Sequence, residues 1–295
     1  MKAQAIWHRM RQGDKMGYWF VAPTLILLLL VMVFPLGYAG FLSLHEVLPQ
    51  TTRFVGLANY VRAFNDPAFW NSLAVSAKFT VISVSIHMVL GLGLALLLSQ
   101  PFRGAKVFRF LLLIPWMVSQ VVTGVIWRWI LNAQYGVVNA VLQKLGFIEH
   151  YLPWLADVKL APIAVIVAYT WQCLPFVMIM LYAGLQTIPK EQYEAAKIDG
   201  ANGFQILRSV TIPNLKYVIV VTTLMDFIWA FRLFDLPKVM TDGGPLRATE
   251  MLSILVYRVT FEYYQFGYAA AIAMLMLLIS LVLSVVYIRT VLSED

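Results

Sequence analysis

The chain has 295 residues, 61% hydrophobic and only 13% charged, with a formal net charge of +7. Soluble domains carry an apolar share of about half and a charged share of about a quarter, so this composition excludes an ordinary globular protein and predicts an integral membrane protein. The basic excess lies beside apolar stretches, and no basic run is interleaved with surface aromatics, which argues membrane orientation and no nucleic-acid partner; the single Cys173 rules out an intramolecular disulfide or a thiolate metal site.

Residues 1–18 carry Lys2, Arg9, Arg11 and Lys15 against the one acid Asp14, and no further charge occurs until Glu46. That apolar run is longer than the core of a signal peptide, about 7–15 residues, so it predicts a first spanning helix over residues 19–41 with its basic flank in the cytoplasm. Pro35 should bend its outer part. Residues 42–72 mix polar and aromatic side chains, end in the turn signal Asp66-Pro67, and read as an external segment. A second helix follows over residues 73–98, with Lys78 near its outer end and His87 deeper. The next loop holds Arg103, Lys106 and Arg109 without an acid, which places it inside. The third helix, residues 110–130, contains Pro115 and Gly124 and ends among Trp127, Arg128 and Trp129. After an external stretch, residues 131–160, the fourth helix covers 161–185 and carries Trp171, Gln172 and Pro175 in its interior. The fifth covers 214–234 with Asp226 about 20 Å along it at 1.5 Å per residue. Residues 235–265 form a third external segment, turned at Gly243-Gly244-Pro245, and the sixth helix, 266–288, is closed by Arg289. The expected architecture is an all-α membrane protein of six transmembrane helices. It has a cytoplasmic segment 1–18, one transmembrane domain 19–289 without internal repeat, a tail 290–295, and both termini cytoplasmic.

Between helices four and five, residues 189–213 read PKEQYEAAKIDGANGFQILRSVTIP. Six charged side chains (Lys190, Glu191, Glu194, Lys197, Asp199, Arg208) forbid a bilayer crossing, so the stretch must face water. Pro189 suits a first helical position and Glu191 the positive end of the helix dipole, while Gly200 interrupts the helix they begin. Two short helices bent at Gly200 are expected. The first is nearly bare of bulk at Ala195 and Ala196, and the second carries an apolar stripe of Phe204, Leu207 and Val210 with Ile206. Such a shape suits insertion into a partner's cleft.

Glu194-Ala195-Ala196, three residues, Gly200, nine residues, then Val210-Thr211-Ile212-Pro213 resembles the EAA loop of binding-protein-dependent ABC importer permeases, E-A-A-x3-G-x9-I-x-L-P, with Val210 and Ile212 as mild departures. The resemblance implies that this loop is a coupling helix docking on an ATPase subunit, through Glu194, Ala195, Ala196, Asp199, Gly200, Ala201 and Pro213. ATP and Mg would be bound by that partner, and the chain itself would not be an enzyme. Phe54-Val55-Gly56-Leu57-Ala58-Asn59-Tyr60, the stretch from Pro115-Trp116 to Trp127, Tyr135-Gly136-Val137-Val138-Asn139, and Thr241-Asp242-Gly243-Gly244-Pro245 with Thr249 are similar to the sugar-type permeases. They resemble the larger maltose-permease subunit without its extra amino-terminal helices, and the compact glycerol-phosphate and oligosaccharide versions. What this implies is a type I ABC importer permease fold in a bacterial or archaeal plasma membrane. It also implies a second homologous permease as heterodimer partner, two ABC ATPase subunits, an extracytoplasmic solute-binding protein and a sugar cargo.

The residues agree about what is missing. No Gly-Lys pair exists to build a phosphate-binding loop, the four histidines are scattered, there is no G-x-S-x-G, and Gly91-Leu92-Gly93 in an apolar span reads as close helix packing. Asp226 either lines a hydrated cavity and accepts hydrogen bonds from substrate hydroxyls or pairs with a cation from another helix in a structural role. Arg232 is expected to pair with Asp235, and Lys78 and Arg128 to snorkel. Trp127, Trp171, Gln172 and Trp229 combine aromatic faces and an amide suited to sugars, though tryptophans also serve as packing and interface residues. An ion-coupled secondary transporter using Asp226 is the rival reading, weakened by the lack of paired repeats. A membrane enzyme lacks its catalytic constellation, and amino acids or other small solutes are alternative cargo.

Overall fold

The structure is a computed structural model that describes residues 19–48, 50–100 and 103–292; the expected cytoplasmic segment 1–18 and the last three residues of the tail lie outside the described residues. The described residues divide into two compact units, those within 1–65 and 259–274, and those within 66–258 and 275–295.

In the first unit, α1 (Trp19–Ser43) is an apolar helix with none of its side chains buried over the spanning window, as a lipid-facing helix requires. Its turn at Leu29–Val33 is π-helical and lies just before Pro35. Proline has no N–H for the carbonyl four residues back and its ring crowds that carbonyl; a wider turn relieves both. A short antiparallel hairpin of β1 (His45–Val47) and β2 (Thr52–Phe54) follows, with His45 opposite Phe54, then α2 (Ala58–Asn65). Asn59 Nδ2 donates to the carbonyls of Ser43 and His45, each at 3.0 Å, tying helix end to hairpin. Arg62 donates to Gln265 Oε1 at 2.7 Å and stacks its guanidinium 4.1 Å from the Tyr268 ring centroid.

The second unit holds the packed bundle. Its helix α3 (Pro67–Ser99) starts earlier than expected because Asp66 caps it, accepting from Ala68 N at 2.8 Å, and Pro67 occupies the first turn. The expected third span is instead two helices, α4 (Ala105–Met117) and α5 (Gln120–Ile130), meeting at 97°. Pro115 weakens the end of α4, Val118 is extended, and Ser119 caps α5 by accepting from Val122 N at 3.3 Å. The short α6 (Val137–Lys144) precedes α7 (Leu160–Leu185). Ahead of α7, Asp157 Oδ1 accepts from the N–H groups of Lys159 and Leu160, which hold this carboxyl below its ordinary value.

Next come α8 (Lys190–Ile198) and α9 (Gly203–Phe231). The expected fifth helix thus begins eleven residues earlier, at Gly203 rather than Asn214, and absorbs the second half of the charged loop. Pro213 does not break it, because the preceding turn Leu207–Thr211 is again π-helical. After α9 come α10 (Asp235–Thr241), α11 (Leu252–Phe261) and α12 (Phe266–Leu292). Among the described residues five helices are long and apolar enough to span a bilayer, or six if the bent pair α4–α5 is one broken span.

Helices α3, α7 and α9 pack on one another through two apolar clusters, one around Phe79, Tyr169 and Leu236, the other around Val177, Leu181 and Leu215. Two glycines set the spacing. A Cβ on Gly91 would lie 2.8 Å from Val177 Cγ1, and one on Gly184 2.8 Å from Leu215 Cδ2. Gly91 therefore does what the sequence suggested, whereas Gly93 meets nothing within 4 Å. A row of polar residues runs along the buried face of α3: Ser72, Ser76, Thr80, Ser83 and His87, all fully buried and spaced three or four apart. At one end Ser72 Oγ donates to Glu250 Oε1 at 3.3 Å, and Glu250 is clamped by Arg258.

Candidate functional site

Two places combine position and chemistry. The first is the charged loop. Helix α8 ends at a chain reversal for which Gly200 adopts φ +76°, a conformation that side chains resist. Asn202 then opens α9 with a reciprocal cap: its side chain accepts from Gln205 N at 3.0 Å, while Gln205 Oε1 accepts from Asn202 N at 2.7 Å. The small helix is fastened to the start of α9 by Asn214 Nδ2 donating to Gln192 Oε1 at 2.7 Å and by the Tyr193 and Thr211 hydroxyls 3.3 Å apart. Ile188 and Tyr193 root the assembly in the apolar cluster of α7 and α9.

What projects is unusual for a water-facing loop. Ile198 is 86% and Phe204 71% exposed, flanked by exposed Glu194, Ala195, Asp199 and Gly200 with half-buried Ala196 and Ala201. Asp199, Gly200, Ala201, Phe204, Gln205 and Arg208 line an open hollow between the two helices. A rigid peg presenting apolar side chains has the character of a docking element. Pro213 sits apart from the tip, in the shaft that joins it to the bundle.

The second place is a cavity of about 640 Å³ where the break between α4 and α5 faces α7 and the Phe231 end of α9. Its walls include Trp116, Ser119, Gln120, Tyr169, Gln172, Trp229, Arg232 and Asp235. Gln172 Nε2 donates to the Val118 carbonyl at 2.7 Å and so ties α7 to the extended residues of the break. Its Oε1 has no hydrogen-bond partner among the described residues, and the hydroxyl of fully buried Tyr169 has only the weakly bonding Cys173 thiol beside it. Buried polar atoms normally find one, so these two are placed to meet the polar groups of a guest or of water. Trp116 and Trp229 both pack against Phe176, with ring centroids 5.7 and 4.7 Å away, giving the cavity an aromatic flank.

Of the residues singled out from the sequence, Gln172 and Trp229 meet at this cavity; Trp127, Trp171 and Asp226 do not line it. Trp127 packs against the apolar cluster around Phe79 and Tyr169 with Trp171 edge-on at 6.2 Å, and Trp171 is 37% exposed on the outside of α7. Asp226 is fully buried against a residue of another helix, with Oδ2 2.8 Å from His87 Nδ1. The expected Arg232–Asp235 ion pair does not form among the described residues; both side chains face the cavity separately, because α9 ends at Phe231 and the chain turns between them. Tyr169, Ser119, Gln120 and Trp116 were missed. Only the short polar break Ser119-Gln120 in an apolar run could have flagged the kink that brings them in.

A family model described as the binding-protein-dependent transport system inner membrane component matches residues 87–291. The chain is 36% identical over 287 residues to the sulfoquinovosyl glycerol transport system permease protein of Agrobacterium fabrum, covering 96% of this chain and 92% of that one. It is 37% identical over 281 residues to the trehalose/maltose transport system permease protein of Thermococcus litoralis, covering 93% of each. Among solved structures, a bacterial alginate ABC transporter in complex with its alginate pentasaccharide-bound periplasmic protein has a chain of the same fold, with a TM-score of 0.83 at 19% identity over 96% of both chains.

Proposed function

The chain belongs to the family of binding-protein-dependent transport system inner membrane components, the non-catalytic membrane permeases of ABC importers, and from that premise we propose that it carries a sugar or sugar derivative across a bacterial or archaeal plasma membrane by alternating access. The observation that carries this reading is the peg: an exposed apolar tip on α8, stapled by Asn214–Gln192 and Tyr193–Thr211 to the very helix, α9, whose outer end borders the cavity. Glu194, Ala195, Ala196, Asp199, Gly200 and Ala201 would dock in a cleft of an ABC ATPase, two copies of which bind ATP and Mg. Pro213, within the stiff shaft of α9, would pass the displacement on. A second homologous permease completes the pathway, and an extracytoplasmic solute-binding protein delivers the cargo; the alginate ABC transporter of similar fold is in complex with an alginate pentasaccharide-bound periplasmic protein.

Both termini are assigned to the cytoplasm, with residues 1–18 and 290–295 flanking the spanning domain 19–289. Tyr169, Gln172 and Trp229 are the side chains on which a sugar's hydroxyls and ring face would rest, with Arg232 and Asp235 at the rim. The carbohydrate class is supported by the named cargoes of both relatives and by a cavity that offers unpaired hydrogen-bonding atoms beside aromatic rings. The test is crosslinking. In a Cys173→Ser background, cysteines at Ala195 or Ala196 should crosslink to the ATPase of the same operon, and ATP-dependent sugar uptake should stop when they do. A tip that reacts with an impermeant thiol reagent from outside the cell overturns the assignment.

A further inference from the structure

On the second unit, α3, the start of α7 and the loop before α11 enclose an apolar groove of about 310 Å³, walled by Val75, Phe79, Ile82, Pro162, Val165 and Met251. One charged side chain lines it, Lys78, which is exposed and forms no ion pair with a described residue. Its depth follows from length. Below Lys78, residues 79–98 run to the other end of α3 with His87 as their only ionisable side chain. About 20 residues at 1.5 Å each make roughly 30 Å, the thickness of the hydrocarbon layer. Lys78 therefore stands at the boundary between hydrocarbon and headgroups, with the apolar groove beside it.

We propose that this groove is a binding site for an anionic phospholipid, one acyl chain lying along Phe79, Ile82 and Val165 and the headgroup phosphate meeting the Lys78 ammonium. The complementarity is specific at both ends. The walls are apolar, so they accept a chain and reject a solute, and a lone ammonium at the phosphate plane prefers a headgroup with net negative charge over a zwitterion, whose own cation it repels. Carboxylates do not compete for Lys78: Asp157, next to groove residue Val158, is engaged by the N–H groups of Lys159 and Leu160, and Glu250 by Arg258 and Ser72. The site needs no assumption about cargo or partners.

Native mass spectrometry of the full chain, released from detergent with equal amounts of phosphatidylglycerol and phosphatidylcholine of identical acyl chains, reads this directly. Phosphatidylglycerol adducts should exceed phosphatidylcholine adducts by roughly fivefold, the factor expected from one interfacial lysine. Lys78→Gln should bring the two to parity and Lys78→Arg should keep the preference, while Ile82→Trp, filling the groove, should remove both adducts. Equal retention of the two lipids by the unsubstituted chain overturns the proposal without reference to any variant. So does a preference that survives Lys78→Gln, or a chain that retains neither lipid.

Discussion

His87 Nδ1 lies 2.8 Å from Asp226 Oδ2, both side chains fully buried, so that α3 and α9 are joined by a polar contact at bilayer depth. Thr170 Oγ1, 3.2 Å from the other ring nitrogen, brings in α7. This contact therefore ties α9, the helix continuous with the peg, to both α3 and α7. Removing either partner strands a buried polar atom of the other. His87→Leu and Asp226→Leu should each destabilise the purified chain by about 1–3 kcal/mol. The double His87→Leu/Asp226→Leu should recover most of the loss in detergent thermal melts. Additive losses would show that the two side chains do not stabilise one another.

The glycine pair on α3 gives a sharper packing test. Gly91→Ala forces a methyl to within 2.8 Å of Val177 Cγ1 and 3.4 Å of the Met178 backbone, at a cost of about 1–3 kcal/mol from overpacking. Gly93→Ala, with nothing within 4 Å, should be neutral or slightly stabilising through helix propensity. Val177→Ala should rescue the first substitution and leave the second unaffected; melting temperatures of the four variants decide it.

At the cavity, stability and transport should separate. Tyr169→Phe removes a hydroxyl with no oxygen or nitrogen partner among the described residues and only the weakly bonding Cys173 thiol beside it, so the melting temperature should hold or rise while the concentration for half-maximal uptake increases. Gln172→Leu strips the donor from the Val118 carbonyl and should cost about 1–3 kcal/mol as well as uptake. If Tyr169→Phe transports normally, the hydroxyl does not meet the cargo.

The reversal at Gly200 calls for a backbone test, since nothing lies within 4 Å of its would-be Cβ and only φ is at stake. Gly200→Ala should strain the turn by about 1–2 kcal/mol, whereas Gly200→Asn, which tolerates the left-handed region, should lose less. Limited trypsin cleavage after Lys197 or Arg208 should accelerate in the alanine variant and the crosslink from Ala195 should weaken, with the global melt unchanged. Equal cleavage rates would mean that the peg does not depend on this turn.

Much of the molecule was legible in one dimension because its elements are dictated locally. Long runs without charge must become helices in lipid, where every backbone group needs an internal partner, and the spacing from Glu194 to Pro213 carries the loop whatever surrounds it. The peg's small tip at Ala195 and Ala196, its reversal at Gly200 and the packing role of Gly91 all arise from single-residue physics. Other features depend on segments far apart in the chain. His87 and Asp226 are 139 residues apart, and whether the acid faced a cavity or a partner was fixed only by the packing of α3 against α9. The cavity exists because Ser119 caps a new helix where an unbroken span would have passed, swinging Trp116 and Gln120 toward Tyr169 and Gln172. Likewise Pro213 reads as a helix start in isolation, yet a π-helical turn before it lets α9 run through from Gly203. Sequence alone determined what must be helical and what must face water, since those depend on the solvent each residue meets; which buried polar groups found one another was settled by tertiary packing, where the competing choices differ only in which distant neighbour is within reach.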